Sequence, residues 1–205
     1  MFLLRLTSVY WVDLLQFAFL HTFSAESVKG RETRHPLQNR AFRGNLRRDK
    51  TMIRVLFICH GNICRSPMAE FMFKDMTARR GIAKEFEIAS AATSTEEIWN
   101  GVGNPVYPPA KAELARHGIG CEGKRAVQLK REDYNHYDWL IGMDSMNMRN
   151  IERMTGHKGG KIRKLLTFAG EDGVVADPWY TGDFGRTWRD IERGLDGFLK
   201  YLGFE

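Results

Sequence analysis

Cysteine is scarce in this chain of 205 residues, which carries only Cys59, Cys64 and Cys121. An odd, small number excludes the disulfide framework of a secreted scaffold and suits a reducing cytoplasm, where thiols stay free. No apolar run is long enough to span a bilayer. The nearest contender, residues 1–23, is broken by Arg5 and Asp13, which is poor for a signal peptide. Internal repeats and low-complexity tracts are also missing. The net charge is +6, yet residues 1–51 hold nine Lys/Arg against four Asp/Glu, leaving 22 against 21 in the rest. A nearly neutral body excludes nucleic acid as a partner recognised through net charge. No second pair of Cys or His residues has ligand spacing, so no metal site is expected.

What is present falls into two parts. Residues 29–50 are polar, basic and aperiodic, a composition that cannot bury a core. Residues 1–51 are therefore expected to be a non-domain extension, disordered or upstream of the true start at Met52. Residues 52–205 are expected to form one domain.

Within that domain, Arg54–Cys59 reads as a strand buried on both faces. Ser66-Pro67 provides an N-cap and a first-turn proline for a helix over Met68–Arg80, which Gly81 stops. Further strands are expected at Phe86–Ser90, Tyr137–Gly142 and Lys161–Leu166. Helices are expected at Ala110–His117, Ser145–Met154 and Phe184–Leu202. Residues 91–109 and 170–182 read as loops. Strands alternating with helices imply an α/β domain, a four-stranded parallel sheet with helices on both faces. Ligands bind such sheets beyond the carboxyl ends of the strands.

The loop after the first strand has the residues for that role. It reads Cys59-His60-Gly61-Asn62-Ile63-Cys64-Arg65-Ser66 and joins a buried strand to a helix N-terminus. Successive backbone N–H groups in such a turn form a concave anion site, and the helix dipole adds positive potential. Gly61 and Asn62 tolerate the left-handed backbone that a tight cradle needs. A tetrahedral oxyanion fits it. Helix-end potential and a neighbouring arginine favour the thiolate of Cys59, a nucleophile that needs no separate base. Arg65 offers a planar fork for two phosphate oxygens. Ser66 can donate its hydroxyl to the sulfur. An aryl oxygen leaves poorly unless protonated, so a positioned acid is required. Asp177, held extended by Pro178 on a Gly-containing loop, is the choice.

These residues resemble the low-molecular-weight protein tyrosine phosphatase family. The match runs from Val55-Leu-Phe-Ile-Cys59 through Cys64-Arg65-Ser66-Pro-Met-Ala-Glu70. It continues with Ser90-Ala-Ala-Thr-Ser94, Ala115-Arg-His117-Gly-Ile, Ile141-Gly-Met-Asp144 and Asp177-Pro178-Trp179-Tyr180, covering roughly residues 52–204. The resemblance implies a single three-layer, flavodoxin-like fold and hydrolysis of phosphotyrosine through a phosphocysteine, with no cofactor. It implies Cys59 as nucleophile, Arg65 as phosphate binder and Asp177 as proton donor. Asn62, Ser90 and His117 are similar to the family's hydrogen-bond network around the loop. Cys64 matches a second cysteine that can pair with the nucleophile under oxidation. Trp179 and Tyr180 would wall a deep aromatic slot, with Ile63 opposite and Trp99 at its lip. His60 reads as a loop position used through its backbone, and Met143, Met146 and Met148 read as packing. The expected partners are phosphotyrosine-containing proteins, with no membrane attachment. The expected state is a cytoplasmic monomer or weak dimer.

Three other readings compete. An arsenate reductase on the same loop needs a disulfide relay, for which Cys121 alone is a short supply. A phosphoarginine phosphatase would have a residue resembling threonine at position 63, where this chain has Ile63. A catalytically silent phosphate-binding module would not need Cys59, Arg65 and Asp177 together.

Overall fold

The computed structural model describes residues 52–204. The expected extension over residues 1–51 lies outside them. The central sheet has four parallel strands in the order β2-β1-β5-β6. They are β1 (Ile53–Cys59), β2 (Phe86–Ala92), β5 (Trp139–Gly142) and β6 (Ile162–Lys164). Helix α1 (Arg65–Arg79) follows β1, α2 (Pro108–Arg116) follows β2, and α4 (Ser145–Thr155) follows β5. A single turn, α3 (Asp133–His136), precedes β5. A short α5 (Pro178–Thr181) and the long α6 (Phe184–Leu202) close the chain.

Alternation along β1 sorts the core into two layers. Val55 and Phe57 point to the face covered by α1 and α6, where Phe73, Leu195 and Phe198 are buried. Leu56 and Ile58 point to the other face and pack with Leu140, Ile151 and Ile162. Side chains of successive strand residues project to opposite faces, so a strand covered on both sides must be apolar throughout. Phe57, Phe73 and Phe198 are fully buried, and each such side chain contributes roughly 1.5–3 kcal/mol. The rings of Phe57 and Phe73 meet edge to face at 5.7 Å. Helix α6 lies tight on a helical turn at Leu165–Ala169, where a Cβ at Gly197 would fall 2.4 Å from the Phe168 carbonyl oxygen.

The structure departs from sequence expectation in several places, the unexpected turn α3 among them. Residues 91–109 are not all loop: β3 (Ile98–Trp99) and β4 (Val102–Gly103) form a small antiparallel hairpin. The fourth strand ends at Lys164 and gives way to the helical turn, because Leu165 and Leu166 are needed in the core. Residues 170–182 contain α5. Helix α1 begins at Arg65, so Ser66 lies inside the first turn and Cys64 holds the cap position without a side-chain cap. Among the described residues no helix is long and apolar enough to cross a membrane.

Candidate active site

The loop from Cys59 to Ser66 leaves the carboxyl end of β1, with β2 on one side and β5 on the other. Asn62 has φ of 57°, the left-handed region that asparagine tolerates better than most residues. Its side chain holds that conformation from three sides. Asn62 Nδ2 donates to Ser66 Oγ at 2.9 Å and to Ser90 Oγ at 2.8 Å. Asn62 Oδ1 accepts from the Val127 backbone N–H at 3.0 Å. Ser66 Oγ stands 3.0 Å from Cys59 Sγ. Among the described residues, no buried side-chain nitrogen or oxygen lacks a hydrogen-bond partner.

Cys59 is only 3% exposed, but it lines a pocket of about 490 Å³ together with Arg65, Asp144 and Asp177. The thiol is thus sunk in the fold yet open to that pocket. Arg65 is clamped by two aspartates. Its Nη1 donates to Asp144 Oδ2 at 2.6 Å and its Nη2 pairs with Asp177 Oδ2 at 2.5 Å. Each aspartate is held by its other oxygen, which caps a helix. Asp144 Oδ1 accepts from the Asn147 N–H of α4 at 2.7 Å, and Asp177 Oδ1 accepts from the Trp179 N–H of α5 at 3.1 Å. Burial works against the guanidinium charge, but Cys59, Asp177 and Asp144 outweigh it and raise the Arg65 pKa above its ordinary value. Burial, together with Cys59 and Asp177, pushes the Cys64 thiol up to about 12. Cys64 therefore stays protonated beside the loop at neutral pH. All three cysteines are free.

The mouth is built differently. Trp179 and Tyr180 line it and are 61% and 86% exposed. The Trp179 ring leans on Tyr107, with centroids 5.5 Å apart, and Tyr107 is tied to the loop by its N–H donating to the Ile63 carbonyl at 2.9 Å. Ile63 lines the pocket as well. His60 is half exposed and pairs with Glu96 at 2.9 Å. Glu97 lies against Gly61, where an added Cβ would meet its Cγ at 2.9 Å.

The structure brings together Cys59, Arg65, Ser66, Asn62, Ser90, Cys64, Ile63, Asp177, Trp179 and Tyr180. It does not bring in His117. That ring stacks on Trp188 at 3.5 Å and faces Glu113 at 3.4 Å, in a separate groove between α1 and α6. In place of His117, the network reaches Glu70 and Lys124. Trp99 stands exposed on the hairpin and is not part of the pocket lining. Met143 is buried, but Met146 is exposed and lines the mouth, so it is not a packing residue. Sequence reasoning passed over Asp144 as a site residue. The signal was available, since Asp144 precedes Ser145 at the carboxyl end of β5, where α/β sheets place their ligands.

This arrangement has the parts for attack by a sulfur anion on a tetrahedral oxyanion: a thiol, a guanidinium and a carboxyl around one pocket. Comparisons with known proteins identify the family. A family model described as low molecular weight phosphotyrosine protein phosphatase matches residues 54–205. The low molecular weight protein-tyrosine-phosphatase YfkJ of Bacillus subtilis is 36% identical over 151 residues, covering 72% of this chain and 94% of that protein. Its crystal structure is similar with a TM-score of 0.69, over 75% of this chain and 96% of that one. The Streptococcus pyogenes low molecular weight protein tyrosine phosphatase is 37% identical with a TM-score of 0.65, over 74% and 93%. The Drosophila arginine phosphatase DARP has a TM-score of 0.65 at 26% identity, over 72% and 96%.

Proposed function

The chain belongs to the low molecular weight phosphotyrosine protein phosphatase family, and from that premise we propose that it hydrolyses phosphotyrosine through a phosphocysteine on Cys59. The observation that carries the reading is the single pocket lined by Cys59, Arg65 and Asp177. In the first step Cys59 Sγ attacks phosphorus and the tyrosyl oxygen departs, taking a proton from Asp177. In the second, water attacks the phosphocysteine, Asp177 accepts the water's proton, and the thiolate leaves. Ser66, 3.0 Å from the sulfur, donates to the thiolate and eases that departure.

Arg65 serves both steps. A guanidinium has five N–H donors, and the pairing with Asp144 fixes its plane while others turn to the phosphoryl oxygens. Charge spreading over those oxygens in the transition state strengthens this grip, which is what accelerates the reaction. A dianionic phosphate also competes with Asp177 for Arg65.

The aromatic mouth supports a tyrosyl substrate, since Trp179 and Tyr180 offer ring faces along the approach. Ile63 supplies an apolar contact opposite them rather than a hydroxyl. Substrates are phosphoproteins, and we read the enzyme as a cytoplasmic monomer or weak dimer acting without a cofactor. The test is hydrolysis of phosphotyrosine, phosphoserine, phosphothreonine and phosphoarginine by wild type and Cys59→Ser. Phosphotyrosine is expected to be turned over fastest, and Cys59→Ser to fall to background. Faster release from phosphoarginine would overturn the substrate assignment. Retained activity in Cys59→Ser would overturn the mechanism.

A further inference from the structure

A chain of buried hydrogen bonds runs from Cys59 away from the pocket and ends on a carboxylate that the reaction does not use. Ser90 Oγ donates to Glu70 Oε2 at 2.5 Å. Glu70 is 4% exposed, in the second turn of α1. Its carboxylate also takes Lys74 Nζ at 2.5 Å and Lys124 Nζ at 3.0 Å. Burial opposes its charge, but Lys124, Lys74 and Ser90 outweigh that and hold the carboxyl below its ordinary range. Glu70 is therefore an acceptor only.

That fact fixes the Ser90 proton, at the far end of the chain that leads to the sulfur. Because Ser90 spends its one proton on Glu70, its oxygen can only accept from Asn62. The Asn62 amide is pinned the same way round at its other end, since Val127 N–H can only donate to Oδ1. Both Asn62 Nδ2 hydrogens are then donated, one to Ser90 and one to Ser66. Ser66 Oγ, already accepting, keeps its own proton to give. Its two available acceptors are Cys59 Sγ at 3.0 Å and the Ala91 carbonyl at 3.5 Å. The nearer one is the sulfur.

We propose that Glu70 is a positioning residue that fixes the donor direction at the Ser90 end of the Ser90–Asn62–Ser66 chain and so, together with the Val127 N–H, aims the Ser66 hydroxyl at the Cys59 thiolate. The proposal rests on Cys59 being the nucleophile, but its test needs no substrate. Lys74 and Lys124 act behind it by keeping Glu70 ionised. Lys124 is also tied to the strand, donating to the Ser90 carbonyl at 3.1 Å.

The sign of the effect separates this role from simple charge. Glu70 is negative, so removing its charge through space would make the Cys59 thiolate easier to form. Losing an aimed hydroxyl does the opposite. The charged and titratable groups facing Cys59 are Arg65 and Cys64 from its own loop, Asp144 and Asp177 across the pocket, and His60, Glu96 and Glu97 at the rim. Those facing Glu70 are Lys74, Lys124 and the Tyr137 hydroxyl, which feels the Glu70 charge. None of these groups is changed in the variants.

The experiment measures iodoacetamide alkylation at Cys59 against pH, resolved from Cys64 by peptide fragmentation, for wild type, Glu70→Gln, Ser90→Ala and the double variant. The expected result is a midpoint raised by about one pH unit in both single variants, the scale of one hydrogen bond to a charged group. The double variant is expected to shift no further than Ser90→Ala alone, because Glu70 acts through Ser90. A Glu70→Gln midpoint that is unchanged or lowered would overturn the proposal. If Glu70→Gln does not fold, Ser90→Ala decides, and an unshifted midpoint there overturns it equally. Loss of phosphotyrosine hydrolysis in the wild type would count against the proposed function and leave this alkylation test standing.

Discussion

The floor and the mouth of the pocket are held by opposite means. At the floor, Asn62, Ser66 and Ser90 are almost fully buried and joined by hydrogen bonds, and the equally buried Arg65 is paired with Asp144 and Asp177. At the mouth, Trp179, Tyr180 and Met146 are exposed, and the pairing of His60 with Glu96 stands in water. A buried polar group left unpaired costs far more than an exposed one. The floor is thus all-or-none, whereas the mouth can be altered piecemeal. Geometry for phosphate chemistry belongs to the first, choice of substrate to the second.

Mutations should divide along that line. The largest expected effect is at the sulfur: Cys59→Ser is expected to abolish turnover of any aryl phosphate in a steady-state assay. Asp177→Asn should follow, with tyrosine phosphate turnover falling by about 10²–10⁴-fold. The loss should be much smaller for a nitrophenyl phosphate, whose leaving group needs no proton. Equal losses for both substrates would remove Asp177 from the acid role.

Asn62→Ala tests the floor as structure. It leaves the Val127 N–H without its acceptor, removes the hydrogen bonds that Ser66 and Ser90 accept, and puts alanine at a φ of 57°. A loss of about 2–4 kcal/mol in a denaturant titration is expected, along with most of the activity. Trp179→Ala tests the mouth. It should raise KM for phosphotyrosine several-fold and leave kcat for a small aryl phosphate near wild type, with little change in stability, because an exposed aromatic holds substrate but not the fold. A large stability loss would erase the contrast between the two regions.

The smallest effect is one of pH. Glu70 is held below its ordinary carboxyl value of 4.5 by Lys124, Lys74 and Ser90. Its folded form binds fewer protons than its unfolded form, so its contribution to stability is complete above about pH 5 and drains away as pH falls through the folded value. Wild type should lose stability over that acid window more steeply than Glu70→Gln. Parallel curves would mean that the carboxylate is not held as described.

The same contrast explains how far the sequence could be read. The floor was legible because its chemistry is local: Cys59 to Ser66 is one unbroken segment between a strand and a helix, and spacing alone places sulfur and guanidinium together. Helix α6 was equally clear from its amphipathic pattern, and the structure finds it capped by Asp183 and Gly203. His117 was misplaced because it stands in a stretch that resembles the family, whereas the position beside Ser90 and Glu70 is filled by Lys124, seven residues later, through a loop whose path no periodicity reveals. Asp144 was passed over because its pairing with Arg65 joins positions 79 residues apart. The hairpin at Ile98–Gly103 was hidden because two-residue strands carry no alternation to detect.

Rapid-quench trapping with a radiolabelled aryl phosphate asks most directly whether sulfur carries the phosphoryl group. The account predicts a labelled phosphocysteine at Cys59 that forms and decays within one turnover and is absent from Cys59→Ser. Turnover with no labelled enzyme, or label on any other residue, would contradict it.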